Sequence, residues 1–212
     1  AGRLSRRERP MQIVVISPES NDAREAASMQ GLFEAGLERY HVRKPAWTPA
    51  RLESWLLSLP AAWRPRIVVH AQAGLARRLA VGWHERDRGR GTGPRGLGRS
   101  CHDLLSLGRR LGFYPYLFFG PVFPSITKRG YGPAADFPWE RLSRVLKRSR
   151  APAQTRVFAI GGITPGGLAR CAALGFDGVA VMGAVWNGPD PVGAYRALRA
   201  EAARLEAPRH AA

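Results

Sequence analysis

Phe118-Phe-Gly-Pro-Val-Phe-Pro-Ser-Ile-Thr-Lys128 begins as an apolar run and ends in two hydroxyls and a cation. Gly120 and Pro121 are poor residues for the middle of a central strand, so a buried strand is predicted to end beside them. Ser125, Thr127 and Lys128 follow at once. Hydroxyls and an ammonium group at the end of a buried strand suit a phosphate or pyrophosphate. A turn followed by a solvated loop fits the same letters. A second stretch, Val157-Phe-Ala-Ile-Gly-Gly-Ile163, runs into Thr164-Pro165. It reads as a buried strand, a glycine pair, and a helix start with Thr164 as N-cap and Pro165 at the first helical position. Bare backbone at Gly161 and Gly162 lets a ligand approach, and a nearby helix N-terminus favours an anion. A third stretch, Gly178-Val-Ala-Val-Met-Gly-Ala184, is another buried strand with small residues at its end.

Working outward, the same apolar runs recur. Strands are predicted at residues 12–16, 39–42, 67–69, 81–84, 97–100 and 116–119, before the two just described. Helical periods or helix signals fall at 23–37, 49–59, 73–79, 103–111, 138–146, 165–174 and from 191 to about 205. In the first of these, Ala26, Met29, Phe33 and Leu37 form the apolar face. Eight strand signals alternating with helices argue for a parallel sheet. The count suits closure into a single-domain (β/α)8 TIM barrel over residues 11–207. An open doubly wound sheet is the alternative, but no Gly-x-Gly-x-x-Gly follows the first strand. In a barrel, Arg43, His70, His84, Ser100, His102, Lys128 and Gly162 all fall at C-terminal strand ends, where active residues sit. The loop after strands 7 and 8 commonly binds phosphate in such barrels, which points to Gly161, Gly162, Gly183 and Ala184. The long segment 123–135, with Gly130 and Gly132, reads as a lid with hinges.

At 212 residues and 45% hydrophobic the chain fits one domain with a sizeable core. No apolar run is long enough to span a membrane and no secretory pattern is visible, so a cytoplasmic protein is expected. Residues 1–10 are basic and aperiodic and read as a disordered extension; residues 208–212 read as a tail. Cys101 and Cys171 make neither a disulfide framework nor a metal spacing, and Cys171 reads as packing. The formal net charge is +17 and the pI is about 11.4. Lysine occurs only at 44, 128 and 147, so the cations are nearly all arginine. Such a field attracts phosphorylated substrates and nucleic acid alike. The arginines are spread along the chain without aromatic interleaving, so they read as solvated helix faces rather than a nucleic-acid site. The Arg/Gly-rich loop 88–98 reads as a mobile surface loop, with a cap over polyphosphate as the other possibility. The oligomeric state is left open, a homo-oligomer being compatible.

Gly120-Pro-Val-Phe-Pro-Ser-Ile-Thr-Lys128 resembles the Gly-Pro-Val-Phe-Pro-Thr-x-Thr-Lys motif of thiamine phosphate synthase and its relative TenI, the thiazole tautomerase. Gly98-Arg-Ser-Cys-His102, Ala159-Ile-Gly-Gly-Ile163 and Gly178 to Ala184 match in order, and the resemblance runs from about Gln12 to Ala203. It implies a barrel enzyme of thiamine biosynthesis acting on a phosphorylated thiazole. Synthase chemistry expels pyrophosphate and needs Mg²⁺ held by carboxylates. The family's Gln-Leu-Arg-Glu-Lys motif falls on His41-Val-Arg-Lys-Pro45, which keeps Arg43 but puts Pro45 at the lysine, with Lys44 on the opposite side of the strand. The family's Asn-Asp pair falls on His70 and Ala71, so one metal ligand is missing. Glu85 and Asp87 are the nearest carboxylates to the second. Tautomerase chemistry needs a phosphate site, a carboxylate site and one acid/base, but no metal. The resemblance therefore implies His102 as proton carrier. It implies Gly161, Gly162, Gly183 and Ala184 around the phosphate. Ser125, Thr127 and Lys128 come from the lid, Arg43 holds a carboxylate, and Ser100 and His70 are further substrate contacts. His41 is a weaker alternative. No metal and no cofactor is expected, Mg²⁺ entering only with the synthase alternative. A third reading is a barrel that binds a thiamine precursor without turnover.

Overall fold

The structure is a computed structural model and describes residues 10–86, 95–148 and 155–206. Its strands are β1 (Gln12–Ile16), β2 (Tyr40–Val42), β3 (Ile67–His70), β4 (Gly82–Glu85), β5 (Gly98–Cys101), β6 (Tyr116–Phe119), β7 (Arg156–Ile160) and β8 (Gly178–Val181). They pair in sequence order and β8 returns to β1, closing a barrel. Every pair is parallel, with Val14 opposite Ala180 across the closing seam and His70 opposite His84 between β3 and β4. The helices are α1 (Glu25–Glu34), α2 (Pro49–Ser58), α3 (Ala73–Leu79), α4 (Leu104–Arg110), α5 (Trp139–Arg148), α6 (Leu168–Leu174), α7 (Gly183–Trp186) and α8 (Pro191–Glu206). The barrel expected from the alternation is the one found. Residues 1–9 of the predicted extension, the tail and most of the 88–98 loop lie outside the described residues. None of the described helices is long and apolar enough to cross a membrane.

Two apolar layers hold the fold. The large one lies between strands and helices and includes Val15, Met29, Leu32, Val69, Leu142 and Val179. The small one fills the barrel itself, with Val14, Ile16, Tyr116, Phe118, Phe158 and Ala180. Aromatic rings fit there because neighbouring strands carry glycine. A Cβ on Gly98 would lie 2.1 Å from the Tyr116 ring, and one on Gly178 would lie 2.7 Å from the Phe158 ring. Strands such as β1, β3, β6 and β8 are thus buried on both faces and read as short apolar runs, whereas β4 and β5 carry polar residues.

Local signals set several helix ends. Thr48 caps α2 by accepting from the Arg51 N–H at 3.2 Å, with Pro49 in the first turn. Asp103 caps α4 through the Ser106 N–H at 2.7 Å. Gly175, at φ 99°, ends α6. Other expectations need correction. The first helix is shorter than 23–37, because Gly36 turns left-handed at φ 90°. Its buried face is Glu25, Ser28, Met29, Leu32 and Phe33, and Ala26 is exposed. Thr164 is extended but makes no side-chain cap, and Pro165–Gly167 forms a 3-10 turn ahead of α6. The short α7, directly after β8, had no separate sequence signal.

A buried polar knot ties α1 to the end of β2. Lys44 donates to the Pro18 carbonyl at 2.7 Å, to the Ser20 carbonyl at 3.0 Å and to Glu25. Glu25 also accepts from the Tyr40 hydroxyl at 2.8 Å. All three ammonium protons are therefore placed, as burial demands.

Cys101 and Cys171 are buried and are not joined in a disulfide. Burial pushes the Cys171 thiol up to about 12. Since the thiolate is the nucleophile, a raised pKa leaves almost none of it at pH 8. Iodoacetamide at that pH is expected to leave Cys171 unlabelled in the folded protein and to label it on unfolding. Mass spectrometry checks this, and rapid labelling of the native chain would contradict it.

Candidate active site

A cavity of about 360 Å³ opens at the C-terminal end of the barrel. Arg43, His70, Ser100, His102, Ser125, Thr127, Lys128, Gly161, Gly162 and Gly183 all line it. Ten residues proposed from sequence alone thus meet in one place. Ala184 is not among the lining residues; it lies inside the first turn of α7. A larger cavity, about 600 Å³, lies at the opposite mouth beside Gln12, Arg39 and Arg156. The C-terminal cavity is the better candidate, since strand C-termini carry the chemistry in this architecture.

His102 stands exposed just beyond β5. Its Nδ1 lies 2.7 Å from the Gly120 carbonyl oxygen. A carbonyl only accepts, so Nδ1 carries the proton and Nε2 of the neutral ring holds a free lone pair. The Gly120 carbonyl is itself fixed by the strand ladder, where the Gly120 N–H donates to Cys101 at 3.2 Å. The imidazole is therefore oriented as a base by backbone alone.

Arg43 is held at the end of β2 by Ser17. The Ser17 hydroxyl accepts from the Arg43 N–H at 2.8 Å and donates to its carbonyl at 3.2 Å. The guanidinium pairs with Glu19, a residue the sequence reading missed. Lys128 Nζ lies 3.6 Å from the same carboxylate oxygen. Glu19 thus bridges the two cations that line the cavity. Its position just past β1, on the strand-end rim, was the available signal.

The lid residues play two parts. Ser125 Oγ accepts from the N–H of Lys128 at 3.0 Å and of Thr127 at 3.3 Å, which folds the loop on itself. The Ser125 N–H donates to the Tyr131 carbonyl at 2.7 Å and closes it. The glycine pair also does more than admit a ligand. Gly161 and Gly162 have φ of 94° and 65°, and a Cβ on Gly162 would lie 2.1 Å from the Pro124 carbonyl. The 121–124 segment itself fills that space. Gly162→Ala therefore adds left-handed strain and a backbone clash, for an expected loss of about 1–3 kcal/mol. Urea unfolding checks it; an unchanged midpoint would show that the loop yields freely.

Glu85 does not face the cavity. It is buried and accepts from the Gly96 N–H at 2.7 Å, Arg99 at 2.9 Å and the Tyr114 hydroxyl at 3.1 Å. Asp87 lies outside the described residues. Ala71 sits at φ 60° beside the cavity, at the position that matches the family's aspartate. Lys44 points into the helix layer and cannot replace the lysine lost at Pro45. Among the described lining residues, Glu19 is the one carboxylate.

Beneath the cavity, His41, His70 and His84 point into the barrel from β2, β3 and β4. His41 Nδ1 is 3.0 Å from His70 Nε2, and His84 Nε2 is 3.0 Å from Ser100 Oγ. The Tyr116 hydroxyl lies 3.3 Å from His41 Nε2 and 3.4 Å from His84 Nδ1. Burial holds His41 and His84 well below the usual histidine range. It brings His70 down to about 3, helped by the charges of Arg43 and Arg86. All three are neutral at pH 7. His70 was expected as a substrate contact, and it does reach the cavity; its partnership with His41 and His84 was not foreseen.

Fold and site together define an α/β barrel whose strand ends hold two cations, an oriented histidine and a glycine-lined loop. The family model described as thiamine monophosphate synthase matches residues 88–185. That span includes the β6, β7 and β8 motifs, so the chain's resemblance to thiamine phosphate synthase and TenI holds. The thiamine-phosphate synthase of Halorhodospira halophila is 38% identical over 107 residues, 50% of this chain and 48% of that one. A putative thiamine-phosphate synthase of Geobacter sulfurreducens is 27% identical over 192 residues, covering 82% of this chain and 85% of the relative. The chain spans about half the length of the first curated relatives it matches. A solved thiamine phosphate pyrophosphorylase from Bacteroides thetaiotaomicron superposes with a TM-score of 0.71 at 24% identity, covering 95% and 100% of the two chains. One from Pyrococcus furiosus gives 0.69 at 22%, covering 92% and 96%. These two likenesses show the fold.

Proposed function

We propose that the protein is a thiamine-biosynthesis enzyme acting on a phosphorylated thiazole, and that it is a TenI-like thiazole tautomerase. The observation that carries the reading is His102, locked by the Gly120 carbonyl so that Nε2 is the base, on a cavity with Arg43 and Lys128 but a single carboxylate among its described lining residues. The phosphate would rest on the glycine-lined side, at Gly161, Gly162 and Gly183, with Ser125 and Thr127 above it. The substrate carboxylate would displace Glu19 from Arg43, exchanging one charge-assisted pair for another. His102 would remove a proton at one carbon of the tautomer and return it at another, leaving an aromatic ring. Atoms and charge balance without a cofactor.

The names of the relatives favour a second reading, a divergent thiamine phosphate synthase. That chemistry requires Mg²⁺ on oxygen ligands. The described residues do not fit such an ion: Glu19 is committed to two cations, Glu85 to Arg99, and Ala71 offers nothing.

The test is a paired turnover assay. One arm holds the thiazole carboxylate phosphate tautomer without metal; the other holds the pyrimidine pyrophosphate and thiazole phosphate with Mg²⁺. Aromatisation in the first and silence in the second supports the tautomerase. Coupling in the second supports the synthase. Tight binding of thiazole phosphate with silence in both would mean a non-catalytic binder.

A further inference from the structure

We propose that His41, His70 and His84 form a binding site for a divalent transition ion of the zinc type, inside the barrel and directly beneath the cavity. One ring nitrogen from each of the three lies within 4.8 Å of the others. The His102 chemistry uses none of them as proton carrier, so the trio needs its own account.

The first observation is cost. Barrel interiors are normally filled by branched aliphatic side chains. Here three adjacent strands each send in an imidazole, and β6 adds a tyrosine hydroxyl. Every one of these polar groups loses water on burial, a cost that aliphatic residues avoid. A ligand shared by all three would offset it.

The second is geometry. Zinc–nitrogen bonds of about 2.0–2.1 Å place tetrahedral ligand atoms about 3.3 Å apart. His41 Nδ1 and His70 Nε2 are already 3.0 Å apart. The ring centroids are separated by 5.3 Å for His41–His70, 5.6 Å for His41–His84 and 4.4 Å for His70–His84. The His70 and His84 rings stack with their planes 25° apart, so ligation by all three requires the His84 ring to turn until one of its nitrogens converges with the His41–His70 pair.

The third is support. A ligating histidine usually gives its other nitrogen to an oxygen partner. His41 Nε2 has the Tyr116 hydroxyl at 3.3 Å. His84 has Ser100 Oγ on Nε2 and the Tyr116 hydroxyl on Nδ1, so the nitrogen that does not meet the ion keeps an oxygen partner. His70 and Ser100 also line the cavity, so a fourth position would face the substrate side, as in open three-histidine sites. Three neutral nitrogens with no carboxylate in the trio select zinc, cobalt, nickel or copper over magnesium or calcium.

The test is a Co²⁺ titration of the chelator-washed full chain, followed by displacement with Zn²⁺. The expected result is about one equivalent bound, with the strong visible absorption of low-coordinate Co²⁺ that Zn²⁺ removes. His41→Phe keeps an aromatic ring in the barrel and should weaken binding at least 100-fold. Tyr116→Phe leaves all ligands in place and should weaken it about 10–100-fold. Circular dichroism and the urea midpoint establish that each variant is folded. Absence of Co²⁺ binding by the wild type would overturn the site and leave a hydrogen-bonded histidine cluster. So would a folded His41→Phe that binds as the wild type does, since the ion would then lie on surface histidines. Neither outcome depends on which reaction the cavity performs.

Discussion

His102→Ala is expected to lower kcat for aromatisation of the thiazole tautomer about 10²–10⁴-fold, the usual contribution of a positioned acid/base. KM should change little, because phosphate and carboxylate are held by other groups. Folding should be almost unaffected: the side chain is exposed and makes one bond, to Gly120. Imidazole added to the assay should restore part of the lost rate, which a merely structural histidine would not allow. Arg43→Ala should behave differently. It should raise KM for the carboxylate substrate by far more than it lowers kcat, since Arg43 binds both ground and transition states. If His102→Ala keeps full activity, the proton passes through another group and the catalytic assignment fails.

The barrel was legible because most of its strands are short, apolar and buried on both faces, β4 and β5 being the polar exceptions, and because Gly120-Pro121 and Gly161-Gly162 mark strand ends by chain chemistry. The rim of the site was legible for the same reason, since residues just past strand ends must converge once the barrel closes. The inside of the barrel was not. His41, His70 and His84 sit on three different strands, and only closure turns their rings toward one another and toward Tyr116. Glu19 was missed because a carboxylate in a Ser-Pro-Glu-Ser loop looks like solvated surface until Arg43 and Lys128 arrive from far along the chain. The glycine pair was read for ligand access, and the structure adds a second demand on it, the close approach of Pro124. The roles of Lys44 and Glu25 were invisible because helical periodicity does not reveal which charged residue of a face turns inward.

Lys44→Met is expected to cost about 3–5 kcal/mol of stability, the range for removing one partner of a buried ion pair. The Lys44 side chain is fully buried and Glu25 nearly so. Without the ammonium, Glu25 keeps only the Tyr40 hydroxyl, and the Pro18 and Ser20 carbonyls lose a donor. Burial already pushes Glu25 above the ordinary carboxylate range, against the opposing pull of Lys44. In the variant it should rise further, so the folded state binds a proton that the unfolded state has released. The sign follows: the deficit is smallest below about pH 4.3, where the unfolded carboxylate is protonated too, and grows as pH rises toward 7. Adding Glu25→Gln removes the buried charge while keeping an acceptor for Tyr40, and should recover more than half of the loss. Urea unfolding of both variants at two pH values gives the answer. A single variant within 1 kcal/mol of wild type would mean that the pair is solvated. Activity then separates structure from catalysis. Lys44 faces the helix layer, so the folded fraction of Lys44→Met should turn over at the wild-type kcat. A folded variant with a collapsed kcat would instead show that Lys44 has taken over the role of the lysine lost at Pro45.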